Sequence, residues 1–204
     1  MNFIDTLFVI DFLRAFWVNI GVGFVALIFG LLLGIPFAYL RASGGWIGKV
    51  IAFVSGCLRA APVFVLLFLV FNILTQVVDA SSLIADFTPA IALSIALSSY
   101  SISVVADTWL DLLKRFGAMN RQSIAVAIPI HIRIFVILVM STSVGAAIGV
   151  REAVTLTLER IERLQVRADQ IQLVLLVLLF FVIFFSIAKQ FIVLLTRWIN
   201  KKGG

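Results

Sequence analysis

Charge is missing from five long stretches of this chain, and that absence constrains the fold more than any motif does. Residues 15–40, 60–78, 87–106, 134–150 and 170–188 contain no Asp, Glu, Lys or Arg. Each is near the ~20 residues with which an α-helix crosses ~30 Å of hydrocarbon, where backbone groups find partners only within the protein. A composition that is 63% hydrophobic and 13% charged lies well outside the range of soluble domains. The reading is an all-α integral membrane protein, one domain over residues 1–204, with membrane helices over 15–40, 50–78, 87–110, 127–150 and 170–197. Four Pro, 13 Gly and scattered Ser and Thr suit helices packed on one another more than helices bathed in lipid.

At the N-terminus, Phe3, Ile4, Leu7, Phe8 and Phe12 interleave with Asp5, Asp11 and Arg14. Residues 1–14 therefore read as a retained interfacial helix rather than a cleavable signal with a basic start. The single cysteine, Cys57, lies in an apolar setting and cannot close an internal disulfide. Five passages put the termini on opposite sides. One side then collects Arg41, Lys49, Lys114, Arg115, Arg121, Arg197, Lys201 and Lys202, the other Arg14, Arg151, Arg160, Arg163 and Arg167. Basic residues favour the cytoplasmic side, so the N-terminus is expected outside. The loop holding Asp79 and Asp86 has no base, as an external loop should. The net charge of +6 thus describes topology and gives no support to nucleic-acid binding.

Between the third and fourth stretches stands a polar interruption, residues 111–122, with Lys114, Arg115 and Arg121 against Asp111. Leu112, Leu113 and Phe116 recur at helical spacing beside Gly117, which predicts a short amphipathic helix over 111–124 that docks onto a partner. A solvated inter-helix loop is the competing reading. A second amphipathic helix is expected over 151–168 on the external side, with Leu158, Ile161 and Leu164 on one face and Glu159 and Arg163 as an i, i+4 pair.

Arg59-Ala60-Ala61-Pro62 puts a cation and a helix-breaking proline at the entrance of the second span, which predicts a kink. Gly30 and Gly34, with the small residues Ala92, Ser94, Ala96, Ser98 and Ser99, are expected to offer a face for close pairing with a second subunit. Asp107 ends the third span beside Trp109. Burying such an acid costs ~2.5–3.5 kcal/mol on insertion scales, so it is either a functional group or an interfacial one. His131, with no second His or carboxylate nearby, reads as interfacial. Metalloprotease, nucleophile-elbow and P-loop signatures are missing, and no pair of carboxylates faces the membrane interior. A machine subunit powered from elsewhere is the first reading; a stand-alone channel or secondary carrier is the alternative, and an intramembrane enzyme the weakest.

Over residues 15–198 the chain resembles the transmembrane permease subunits of type I ABC importers, in particular the polar amino acid branch. An Arg-Gly-Thr-Pro-like opening of the second span is similar to Arg59-Ala60-Ala61-Pro62. A loop with Glu-Ala-Ala, a glycine six residues after the Glu and a later Leu-Pro is similar to Asp111-Leu112-Leu113, Gly117 and Ile128-Pro129. Ser141-Thr142-Ser143-Val144 and Ile148-Gly149-Val150 resemble the segment that follows. The resemblance implies a non-enzymatic permease in a bacterial inner membrane, importing a small polar solute such as an amino acid. It implies no cofactor on this chain, with ATP and Mg on a cytoplasmic ABC ATPase dimer, a second permease subunit, and an extracytoplasmic solute-binding protein. Asp111, Leu112, Leu113, Phe116, Gly117, Met119 and Arg121 would form the coupling helix on the ATPase, and Ser103, Asp107 and Ser141 would contact solute. Three departures stand out: Asp111 comes only four positions after Asp107, Ser141 replaces an Asp, and the segment from Pro129 to Ile148 is shorter than usual.

Overall fold

In the computed structural model, which describes residues 6–78 and 84–203 with the side chains of 200–203 left aside, the chain is a bundle of seven α-helices. They are α1 (Thr6–Ala42), α2 (Gly45–Ala60), α3 (Val63–Val77), α4 (Thr88–Phe116), α5 (Arg121–Ser141), α6 (Ala153–Arg163) and α7 (Arg167–Gly203). Short 3₁₀ segments at Ala85–Phe87 and Thr142–Ile148 precede α4 and follow α5. Phe3, Ile4, Asp5 and Asp79, and the side chains of Lys201 and Lys202, lie outside the described residues.

Four helical segments, Thr6–Ala42, Ala85–Phe116, Arg121–Ile148 and Arg167–Ile199, are long and apolar enough to cross a membrane. The second expected span differs: it is broken at Ala61–Pro62 into α2 and α3, whose axes meet at 94° rather than in a gentle kink. Pro62 has no N–H to donate, and Ala61 before it is extended (φ −67°, ψ 122°), so the helical ladder cannot run through.

Packing direction settles whether that bent pair crosses or turns back. Gly30 faces Ser101, Gly34 faces Ile102 and Val105, and Arg41 binds Asp107. Residue numbers rise together, so α1 and α4 are parallel. The segment between them must therefore return the chain to its starting side. α5 runs antiparallel to α4, with Gly145 on Leu93 at one end and His131 on Trp109 at the other. α7 is parallel to α1, Phe12 meeting Phe180 and Phe16 meeting Phe184. The chain passes five times between the two ends of the bundle. The end holding Arg41, Asp107 and the α4–α5 turn is here the basic end; the 3₁₀ segment at 142–148 and α6 lie at the opposite end.

The expected boundary between an interfacial helix over 1–14 and a first span is absent, because Thr6–Ala42 is continuous. Phe8, Phe12 and Phe16, one helical turn apart, are buried in an aromatic cluster with Phe180, Phe181 and Phe184. Phe12–Phe180 and Phe16–Phe184 meet edge to face with centroids 5.1 and 4.8 Å apart, the arrangement that ring quadrupoles favour. That cluster carries the helix straight through the position of the expected break.

The glycine pair also reads differently. A Cβ on Gly30 would overlap Ser101 Oγ, and one on Gly34 would lie 2.8 Å from the Ile102 carbonyl oxygen and 2.9 Å from Val105. Ala92, Ser94, Ala96, Ser98 and Ser99 are likewise buried inside the chain. Gly30 and Gly34 let α1 and α4 approach within one molecule, and the named small residues of α4 are covered by the chain itself. Gly34→Leu is expected to cost about 3 kcal/mol or more, since overpacking here meets backbone that cannot step aside. A drop in the thermal midpoint of the detergent-solubilised chain would show it.

The amphipathic segment at the opposite end is shorter than expected, Ala153–Arg163 rather than 151–168. Its packed line is Ala153, Thr157, Ile161 and Leu164, so Leu158 points outward and is 49% exposed. The expected Glu159–Arg163 pair gives way to Glu159–Arg151 at 3.7 Å.

Candidate functional site

The polar interruption carries no helix of its own. α4 runs on through Asp111, Leu112, Leu113 and Phe116, stops at Gly117, and α5 starts after Asn120. Leu112 and Leu113 are buried in the main core and Phe116 packs half-buried against it, so three of the expected docking side chains belong to the interior. Apolar core contact simply extends α4 beyond its uncharged stretch.

What remains outside is a tight turn, Gly117-Ala118-Met119-Asn120, between two helix ends. Gly117 sits in the left-handed region (φ 74°) and its N–H donates to the Leu113 carbonyl, closing α4. Asn120 Oδ1 accepts from Ser123 N at 2.8 Å while Asn120 N donates to Ser123 Oγ at 2.8 Å, a reciprocal cap that opens α5. The turn is therefore rigid at both ends. Asp111, Lys114, Arg115, Met119 and Arg121 stand exposed around it, and the Arg115 guanidinium lies 5.3 Å from the Phe116 ring centroid. At the same end a groove of about 230 Å3 opens between α5 and α7, lined by Val126, Pro129, Ile130, Arg133, Ile192, Thr196 and Ile199.

Nine residues before the end of α4, Asp107 is held by two cations from different elements. Arg41 Nη1 of α1 donates to Asp107 Oδ1 at 2.7 Å, and Arg59 of α2 pairs with Asp107 Oδ2. The carboxylate thus fastens the last turns of α1 and α2 to α4. Ser103 Oγ donates to the Tyr100 carbonyl and Ser141 Oγ to the Ile137 carbonyl, each within its own helix. No hydrogen bond joins Ser103, Asp107 and Ser141 to one another. Asp107→Ala is expected to cost about 1–2 kcal/mol, less than a fully buried pair because Arg59 is 52% exposed. Faster tryptic cleavage after Arg59 would report it.

Two residues further, Trp109 Nε1 donates to His131 Nε2 at 3.2 Å, while His131 Nδ1 lies 2.7 Å from the Ala127 carbonyl. A carbonyl only accepts, so Nδ1 carries the hydrogen and Nε2 accepts from the indole. The lone histidine is a neutral strut between α4 and α5.

The opposite end holds a polar cluster that reading the sequence missed. Glu152 is fully buried. Its Oε2 accepts from Asn19 Nδ2 of α1 at 2.8 Å and from Val154 N at 2.9 Å; its Oε1 accepts from Thr155 N at 2.9 Å and lies 3.2 Å from Thr155 Oγ1, whose hydrogen goes to the Val150 carbonyl at 2.6 Å. Asn19 Nδ2 also donates to Thr142 Oγ1 at 2.7 Å, and Asn19 Oδ1 accepts from Ala153 N at 3.2 Å. Glu152 is at once the N-cap of α6 and the tie between α1, the 3₁₀ segment and α6. The available signal was an asparagine inside an uncharged stretch, a group that needs an internal partner at that depth.

The sequence matches no protein-family model and no curated protein. The fold is similar to two solved chains. One belongs to an amino acid ABC transporter with histidines, with a TM-score of 0.72 and 16% identity, covering 95% of this chain and 98% of that one. The other belongs to the MetNI methionine ABC transporter in inward-facing conformations, with a TM-score of 0.62 and 14% identity, covering 95% and 100%. Both likenesses run the whole length of the fold.

Proposed function

We propose that this chain is the membrane-spanning permease subunit of an ATP-driven ABC importer for a small polar solute, an amino acid or a related compound. The observation that carries this is the end-to-end likeness to a chain of an amino acid ABC transporter. In this reading the basic end faces the cytoplasm of a bacterial cell, placing the N-terminus outside. The rigid turn at Gly117–Asn120 docks on a cytoplasmic ATPase dimer, which holds ATP and Mg; this chain itself needs no cofactor and catalyses nothing. Met119 and the walls of the neighbouring groove supply the apolar contact, and Lys114, Arg115 and Arg121 meet an acidic rim at ~0–1 kcal/mol each. A second permease subunit and an external solute-binding protein complete the assembly.

Solute recognition is assigned to that second subunit. Ser103 and Ser141 spend their hydrogens on their own helices and Asp107 is shared by two arginines, so this chain acts as the structural half of a heterodimer.

A broken helix is also a mark of secondary carriers, which gives that reading one observation in its favour. Carriers, however, place the break near the bilayer midplane, whereas Ala61–Pro62 lies at the level of Arg41 and Asp107. Purification of the tagged chain from gently solubilised membranes decides between them. An ATPase is expected to co-purify, and reconstituted uptake should require ATP; full uptake by the chain alone, without nucleotide, refutes the importer reading.

A further inference from the structure

Between α1 and the start of α3 the chain spends sixteen residues on a helix that carries no passage of its own. Both parts of α2 are held at one level of the bundle. Gly48 lies against the carbonyl oxygens of Leu40 and Arg41, and Arg59, three turns on, reaches Asp107, the carboxylate that also binds Arg41. A helix tied at both ends to the same level runs across the bundle. The 94° angle to α3, which does carry a passage, gives the same direction.

That level is the edge of the hydrocarbon. Residues 15–40 end just before Arg41, residues 60–78 begin just after Arg59, and residues 87–106 end just before Asp107. Around α2 the side chains sort into three strips at helical spacing. Gly48, Ile51, Ser55 and Leu58 face the protein. Lys49, Ala52, Gly56 and Arg59 make a narrow small and basic strip. The third strip, Trp46, Ile47, Val50 and Phe53, is 78, 54, 39 and 73% exposed.

We propose that α2 is an in-plane anchor whose Trp46–Phe53 strip is seated in the headgroup–acyl boundary of the leaflet at the basic end, on acidic phospholipid. A tryptophan at the edge of the hydrocarbon is at its preferred depth, with the ring in the acyl boundary and the indole N–H toward the headgroups. Lys49 borders the strip, and Arg41 and Arg59 share the single Asp107, so this level of the bundle carries two surplus positive charges that an anionic headgroup layer neutralises. The three strips then face protein, lipid and water in turn, as a helix lying beside a bundle at a membrane surface requires. Anchored so, α2 fixes the height of the Ala61–Pro62 joint from which α3 departs. The inference is independent of any ATPase or solute.

The test uses the full-length chain in lipid nanodiscs, carrying Cys57→Ser and a spin label at either Phe53→Cys or Gly56→Cys. The label at 53 is expected to collide several-fold more with oxygen than with a water-soluble nickel chelate, and the label at 56 to show the reverse. Raising phosphatidylglycerol against phosphatidylcholine should draw residue 53 deeper, and Lys49→Glu should remove that dependence. Equal access of nickel to both positions would overturn the proposal by making α2 an aqueous helix. Exclusion of both colliders from 53, with dipolar coupling between labels on two chains, would overturn it in favour of a protein interface. Indifference to phosphatidylglycerol would overturn the acidic-lipid assignment.

Discussion

Glu152→Ala is expected to destabilise the folded chain by about 3–5 kcal/mol and to release α6 to protease. The carboxylate is fully buried and its two oxygens accept from two backbone amides and one side-chain amide, while the Thr155 hydroxyl beside it gives its hydrogen to the Val150 carbonyl. Alanine orphans those donors, at roughly 1–3 kcal/mol for each that water cannot reach, and removes a helix cap worth about 1 kcal/mol. Glu152→Gln separates charge from shape. Oε2 faces only donors, whereas Oε1 meets the Thr155 amide and a Thr155 hydroxyl whose hydrogen goes to the Val150 carbonyl, so a glutamine with its NH2 on that side loses the amide bond but can donate to the hydroxyl oxygen, and about 1–2 kcal/mol should be lost. Thermal unfolding in detergent, with tryptic cleavage at Arg160, Arg163 and Arg167 as a local readout, measures both variants. A glutamine variant as stable as the parent would mean that the pocket does not need an acceptor at both positions.

Gly117→Val is expected to lower ATP-dependent uptake at least tenfold while leaving the bundle assembled. The space around Gly117 is open, with nothing within 4 Å of where a Cβ would stand, so the effect is not a clash. It is backbone strain: a β-branched residue at φ 74° costs of order 1–3 kcal/mol and drives the turn into another shape. Gly117→Asn is the control, since asparagine tolerates the left-handed region and should retain most uptake. Met119→Glu, which leaves the backbone alone, should weaken ATPase capture without altering the thermal midpoint. If the valine variant transported at the parental rate, the turn would not be the coupling element.

Much of the architecture follows from where charges are missing, because a helix in hydrocarbon has few alternatives. The five passages, the opposite placement of the two termini and the amphipathic α6 were all legible in this way. What failed to show was how far helices continue past their uncharged stretches. Leu112 and Leu113 carry the period of a docking helix, yet the same spacing suits a core face, and packing in α4 decided it. Gly30 and Gly34 mark a close helix approach correctly, but a small-residue pattern does not say which helix approaches. Asp107 carried the opposite ambiguity: its partners Arg41 and Arg59 are remote in sequence, so their meeting depended on the parallel packing of α1 with α4 and the turn of α2. Glu152 adjoins Arg151 in sequence, and no local pattern marks it as buried. Its burial becomes intelligible only when Asn19, on another helix, is brought to it.

Sequence separation in that last contact bears on how the chain is made. Asn19 enters the bilayer with α1, and its partners Thr142 and Glu152 follow 123 and 133 residues later. Through most of translation its amide group has neither carboxylate nor hydroxyl to bond, and the glycine seam of α1 waits likewise for α4. The nascent α1 therefore waits with an unmet polar demand until α6 emerges, held by the insertion machinery or by water at the boundary. In a Cys57→Ser background, a ribosome-stalled chain ending before Glu152 should leave residue 15, buried one turn before Asn19 in the finished bundle, open to a membrane-permeant thiol reagent when it is made cysteine. Extension past α6 should close it, which would time the final docking of the bundle to the emergence of a single acid.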